Sequence, residues 1–165
     1  MLKKCLFLIP LAFLLLGTNP VIAADVGILF GTKWSSLGGY PTTVGIKMVE
    51  QPYSFSVRGG LYHLEYTGPM NEDLTWMTLG GTFDYYLDSE GKLKPYAGSD
   101  LDLHFWDFDS TEVSLALNPH FGVEYWLEDN FSLSGEVGLG LGLGEVWEME
   151  NRIATTTAIN LTYYF

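Results

Sequence analysis

Three histidines carry the best prospect of proton chemistry in this sequence: His63 in HLE, His104 in HFW and His120 in HFG. A general base needs its imidazole within hydrogen-bond reach of a partner. His120 has Glu124 four residues on, and an extended chain turns both side chains to one face. The pair would suit acid–base catalysis, but a packed interior histidine explains the same spacing, and that is the reading favoured here. No group of histidines, cysteines and carboxylates has the spacing of a zinc site. The single cysteine, Cys5, lies near the start of the chain. Neither a catalytic nor a metal nor a cofactor-binding residue is therefore assigned, and no cofactor is expected.

Charge offers a second kind of chemistry. Lys47 and Arg58 fall in the middle of period-two segments, and Lys33 lies near the end of another. Asp84, Asp100, Asp102, Glu124 and Glu136 occupy equivalent places. Charges facing a narrow interior must be paired, so these residues are expected to form an interior network centred on Arg58. Carboxylates outnumber cations, which leaves a narrow cation-preferring path as a lesser possibility. A further acidic group, Glu72, Asp73, Asp107, Asp109, Glu112, Glu145, Glu148 and Glu150 with Arg152 close by, falls between the segments. DFDSTE has oxygens for a hard cation but neither the spacing nor the glycine of a calcium loop. A solvated, repulsive surface is the reading preferred.

The elements that position these residues are strands. Of 165 residues, 47% are hydrophobic, 15% aromatic and only 17% charged. The formal net charge of −12 argues against nucleic acid, which requires a basic footprint. Residues 1–24 are of another kind: basic MLKK, apolar CLFLIPLAFLLL, then small GTNPVIAA. That order is the pattern of a cleaved secretory signal peptide, and the run is short of the roughly 20 residues of a helical span. Its removal would take Lys3, Lys4 and Cys5, leaving −12 − 2 = −14 and no cysteine.

From residue 25 to residue 165 one domain of alternating segments is expected: DVGILFGTKW, TVGIKMVE, YSFSVRGGLYHLEY, TWMTLGGTFDYYL, KPYAGSDLDLHFW, VSLALNPHFGVEYWL, FSLSGEVGLGLGLG and TTTAINLTYYF. Period-two patterning with turn residues between is the signature of strands. Gly59-Gly60 reads as a bulge that shifts the register. Connections read as longer after the first, third, fifth and seventh strands. Eight strands with that rhythm predict an all-β, antiparallel up-and-down barrel.

Size decides which face looks inward. One face carries Phe, Leu, Val, Tyr, Ile and Met; the other carries Gly, Ser, Ala, Thr and the charges above. An eight-stranded barrel is just wide enough for side chains to fill, so the small polar face goes in and the large apolar face meets lipid. Segments of about 9–11 residues suit a tilted transmembrane strand. Trp34, Tyr53, Tyr66, Trp76, Tyr85, Trp106, Tyr125, Phe131, Tyr163 and Phe165 sit near strand ends, as interfacial aromatic girdles do.

With its leader, eight alternating strands and closing NLTYYF, the chain resembles the small outer-membrane β-barrel proteins of Gram-negative bacteria, the OmpA/OmpX type. The resemblance implies an eight-stranded transmembrane barrel with both chain ends in the periplasm. It also implies that Ile159, Leu161, Tyr163 and Phe165 form the C-terminal signal read by the outer-membrane assembly machinery. Outer-membrane lipid and lipopolysaccharide are the expected partners, and the expected state is a monomer. A structural or surface-interaction role in the envelope follows. The alternatives are a barrel enzyme acting on lipid A or phospholipid, a narrow cation channel, and a soluble lipocalin-like barrel. The His-x-Ser pair of lipid A deacylase barrels is missing from the three histidine sites.

Overall fold

A computed structural model of the chain describes residues 25–35, 38–39, 42–65, 73–88, 90–107, 111–143 and 152–165. The leader-like segment 1–24, Tyr66, Glu72, Asp109, Glu145, Glu148 and Glu150 lie outside them. So do the side chains of His63, Asp73, Trp106, Asp107, Glu112 and Arg152.

Eight long strands run in order: β1 Asp25–Ser35, β2 Thr43–Glu50, β3 Tyr53–Glu65, β4 Asp73–Tyr86, β5 Leu93–Asp107, β6 Thr111–Glu128, β7 Phe131–Leu143 and β8 Arg152–Tyr164. Gly38–Gly39 pairs back onto Trp34 and Ser35. Each long strand pairs antiparallel with the next, and β8 pairs with β1, so the sheet closes into an up-and-down barrel. The seam runs from Gly27 opposite Tyr164 to Ser35 opposite Thr156, and the Phe165 N–H donates to the Val26 carbonyl at 3.0 Å. Closure gives every strand two neighbours, the condition for a sheet in lipid, where water cannot satisfy an open edge. Among the described residues no helix is long and apolar enough to cross a membrane.

The barrel is built inside out relative to a soluble one. Along β3, Tyr53, Phe55, Val57 and Leu61 are exposed, while Ser54, Ser56 and Arg58 between them are buried. Along β8, Ile159, Leu161, Tyr163 and Phe165 face out, and Ala158, Asn160, Thr162 and Tyr164 face in. The exposed band covers all eight strands and includes Ile28, Val44, Leu79, Leu101, Phe121 and Leu133. At the end where Asp25 and Phe165 lie (the terminal end), Val49, Tyr86, Tyr96 and Tyr164 pack together with half-buried Trp126.

Three expectations change. Gly59-Gly60 makes no bulge: β3 pairs residue for residue with β2 and β4 through both glycines, and Val57, Gly59 and Leu61 keep facing out. A bulge needs an extra residue on one strand, and here each glycine has its own partner. The register shift falls instead between Trp126 and Glu128 opposite β7. Connection lengths also break the alternation: residues 108–110 alone separate β5 from β6, fewer than the 87–92 between β4 and β5. The β5–β6 ladder continues to Asp107 opposite Thr111 and takes in Asp107, Thr111 and Glu112 of DFDSTE. Trp76 lies inside, its ring edge-on to His104 at 5.8 Å, because it shares parity with Thr78, Gly80 and Thr82. Position near a strand end does not set the face; parity does.

Candidate functional site: the interior charge network

Inward parity collects the polar residues of all eight strands along the barrel axis, and they settle into layers. Farther from the terminal end, Lys33 on β1 and Arg58 on β3 share two carboxylates of β5. Lys33 Nζ lies 2.7 Å from Asp100 Oδ2 and 3.1 Å from Asp102 Oδ2. Arg58 Nη2 lies 2.9 Å from Asp100 Oδ2 and 3.2 Å from Asp102 Oδ1. Neutral donors complete the carboxylates: Thr82 Oγ1 to Asp100 Oδ1 at 2.7 Å and Asn118 Nδ2 to Asp102 Oδ2 at 2.9 Å. A void with room for about one water is lined by Thr32, Lys33, Thr43, Arg58, Thr78, Asp102 and Asn160.

Nearer the terminal end, Glu124 on β6 is fully buried and takes four donors. Lys47 Nζ lies 3.0 Å from Oε2, which also accepts from the Tyr86 hydroxyl. Oε1 accepts from Ser132 Oγ at 2.5 Å and the Tyr164 hydroxyl at 2.9 Å. Between the two layers, Asp84 accepts from Ser54 Oγ at 3.0 Å and meets His120 Nε2 at 2.9 Å. Glu136 accepts from the Tyr96 hydroxyl at 2.9 Å and from Asn160 Nδ2 at 2.8 Å.

Glycines set these spacings. Gly80 on β4 lies between Arg58 on β3 and Asp102 on β5. A Cβ there would collide with Asp102 Oδ1 and stand 3.3 Å from Arg58 Nε. Gly98 on β5 likewise lies between Asp84 and His120, and a Cβ would strike Asp84 Oδ1 and come within 2.9 Å of His120 Nε2. Each ion pair thus reaches over a strand whose side chain is missing. At Gly122 the slot is filled by the Tyr96 ring. Gly122 is the inward residue between His120 and Glu124, so Tyr96 divides the layers.

Of the residues expected in one network, Arg58 joins Asp100 and Asp102, Lys47 joins Glu124, and Asp84 joins His120. Glu136 meets neutral donors. Lys47 does not join the Arg58 group, because the Tyr96 ring intervenes; Lys47 Nζ lies 5.8 Å from the centres of both the Tyr86 and Tyr96 rings. His120 and Glu124 share a face of β6 yet do not pair, because four residues of extended strand, at about 3.3 Å each, hold them apart. Asp100, His120 and Glu136 bring one ligand atom each within 4.8 Å of the others. Asp100 Oδ2 is nevertheless committed to two cations, and both His120 ring nitrogens meet acceptors, the second being the Asn118 carbonyl at 3.1 Å. These commitments describe an ion-pair network. The sequence reading did not assign Tyr86, Tyr96, Tyr164, Ser132, Thr82 or Asn118 a part in it. Their inward parity is the signal that places them there.

No family model matches the chain, and no characterised protein matches it in sequence. Solved structures do. Neisserial surface protein A superposes with a TM-score of 0.57 at 20% identity, covering 86% of this chain and 96% of that one. A major outer membrane protein from Thermus thermophilus gives 0.56 at 13% identity over 87% and 100%. Outer membrane protein W of E. coli gives 0.54 at 11% over 87% and 98%. The fold is that of the small eight-stranded outer-membrane barrels. At such identities the likeness is one of fold, and an outer-membrane barrel of this size hosts varied roles. Its terminal end, with the turn at Gln51–Pro52 and that at Asp129–Asn130, has a dense outer aromatic band. Tyr53 stacks on Phe83 at 5.8 Å, Phe55 lies 5.0 Å from Phe83, and Tyr163 meets Phe165 at 5.8 Å.

Proposed function

We propose that this protein is an integral, non-conducting barrel of the Gram-negative outer membrane with a structural or surface-interaction role in the envelope. Its terminal end faces the periplasm, it arrives by way of a cleaved signal peptide, and it acts as a monomer. Lipid and lipopolysaccharide contact the outward apolar band. Ile159, Leu161, Tyr163 and Phe165, all exposed on the lipid side of β8, offer the assembly machinery its signal. The observation that carries the reading is an apolar exterior around an interior lined by paired charges and buried tyrosines. His120 and Glu124 are buried, held by separate partners and turned away from lipid, which favours a non-enzymatic role over a lipid A- or phospholipid-modifying one.

The rival with an observation behind it is a narrow cation path, since Asp84, Asp100, Asp102, Glu124 and Glu136 outnumber Lys33, Lys47 and Arg58 inside. Planar-bilayer recording separates the two. Purified barrel is expected to give no discrete conductance steps. Steps that favour cations and change amplitude in Arg58→Met would overturn the closed-barrel reading.

A further inference from the structure

His120 sits in the middle of the interior with acceptors at both ring nitrogens. Nε2 is 2.9 Å from Asp84 Oδ1, and Nδ1 is 3.1 Å from the Asn118 backbone carbonyl. A neutral imidazole has one N–H and one lone pair, so in that form one of these contacts would set lone pair against lone pair. We propose that His120 is held as the doubly donating imidazolium and acts as a pH-dependent latch that ties β4 to β6 over the gap left by Gly98 on β5.

The surroundings agree from every side. β4 contributes Asp84, itself held to β3 by Ser54 Oγ at 3.0 Å. β5 contributes Asp100, whose Oδ2 is 3.9 Å from Nδ1, and Tyr96, whose ring stands edge-on at 6.0 Å. β7 contributes Glu136, with a carboxylate oxygen within 4.8 Å of His120 and Asp100 ligand atoms. The cations Lys33 of β1 and Arg58 of β3 sit on Asp100 and Asp102. Asp100 and Asp102 take those two cations, while Asp84 meets Ser54 and His120, and Glu136 meets Tyr96 and Asn160. A buried surplus of this kind must be compensated, and an imidazolium at His120 removes one charge of it.

The sign of the pH effect follows. The latch is present while His120 is charged and is lost as pH rises through its folded-state titration, where either Asp84 loses its cation or the Asn118 carbonyl loses its donor. Nitrogen-15 spectra of the refolded barrel in detergent, with His120 assigned by the missing signal in His120→Gln, read the state directly. Both ring nitrogens protonated at neutral pH is the expected result; a neutral tautomer overturns the proposal. Unfolding in urea gives the second readout. The folding equilibrium constant of the natural protein relative to His120→Gln is expected to fall from mildly acidic to alkaline pH. An offset that stays constant with pH sinks the latch. Should His120→Gln fail to refold, sequential assignment of the natural protein still decides the matter by the ring signals.

Discussion

The layer around Glu124 and the layer around Arg58 solve one problem in two ways. Both bury charge inside a narrow barrel. Around Glu124 there is one cation and one carboxylate, and four donors use both oxygens: Lys47 and Tyr86 on one, Ser132 and Tyr164 on the other. Aromatic rings close that layer, with Trp126 stacked on Tyr164 at 4.6 Å. Around Arg58 two cations and two carboxylates share contacts, and Asp100 Oδ2 serves Lys33 and Arg58 together. The first arrangement has no spare partner, while the second has redundancy. Charge count alone does not reveal this difference; it depends on which side chain fills each glycine slot.

The layer without a spare partner is where the largest effect is expected, at Glu124. Replacing it by Gln keeps the volume and several hydrogen bonds but leaves the Lys47 ammonium buried without a carboxylate. A broken buried pair costs about 3–5 kcal/mol, and that loss is expected in urea unfolding from lipid vesicles, followed by tryptophan fluorescence. Adding Lys47→Met should restore most of it, since no buried charge is then left without a partner. If the double variant is as unstable as Glu124→Gln, then the tyrosine hydroxyls rather than the ion pair dominate the layer.

Redundancy predicts a milder outcome in the other layer. Lys33→Met takes one cation from Asp100 and Asp102, but Arg58, Thr82 and Asn118 remain. The expected loss is about 1.5–3 kcal/mol, the worth of hydrogen bonds to charged groups. A loss in Lys33→Met equal to or above that in Glu124→Gln, measured in the same vesicles, would abolish the distinction between the layers.

Much of this molecule was legible before any coordinate. Strand number, the inside-out faces and the inward position of Arg58, Lys47 and all five carboxylates follow from period two, because neighbouring side chains on a strand must point opposite ways. Pairing was not legible. Arg58 with Asp102 and Asp84 with His120 are partners across two strands, a relation fixed by register and by the glycine between them, and register is a property of the closed sheet. Trp76 has the residue type and strand-end place of an interfacial residue, yet its parity puts it inside. The Gly59-Gly60 bulge was misread because two adjacent glycines look irregular, although one faces in and the other out. Tyr86, Tyr96 and Tyr164 were missed as buried donors for the same reason as Trp76.

Glycine therefore gives the sharpest and smallest of the tests, since identical substitutions should differ by face alone. At Gly80 a new Cβ would meet Asp102 Oδ1 and crowd Arg58 Nε at 3.3 Å, so Gly80→Ala must push a carboxylate off its cation or bend the strand. Overpacking of this kind costs about 1–3 kcal/mol. Gly135 on β7 is exposed on the lipid side, with nothing within 4 Å of the Cβ position. There Gly135→Ala should be neutral or stabilising by up to about 1 kcal/mol, because alanine has less backbone freedom to lose on folding. The decisive quantity is the difference between the two variants in unfolding midpoint. If both lose equally, glycine serves strand flexibility everywhere and the slots beneath the ion pairs have no special part. If only Gly80→Ala loses, and if Arg58→Met in that background costs less than it does alone, then the empty position on β4 is what lets β3 and β5 share a charge.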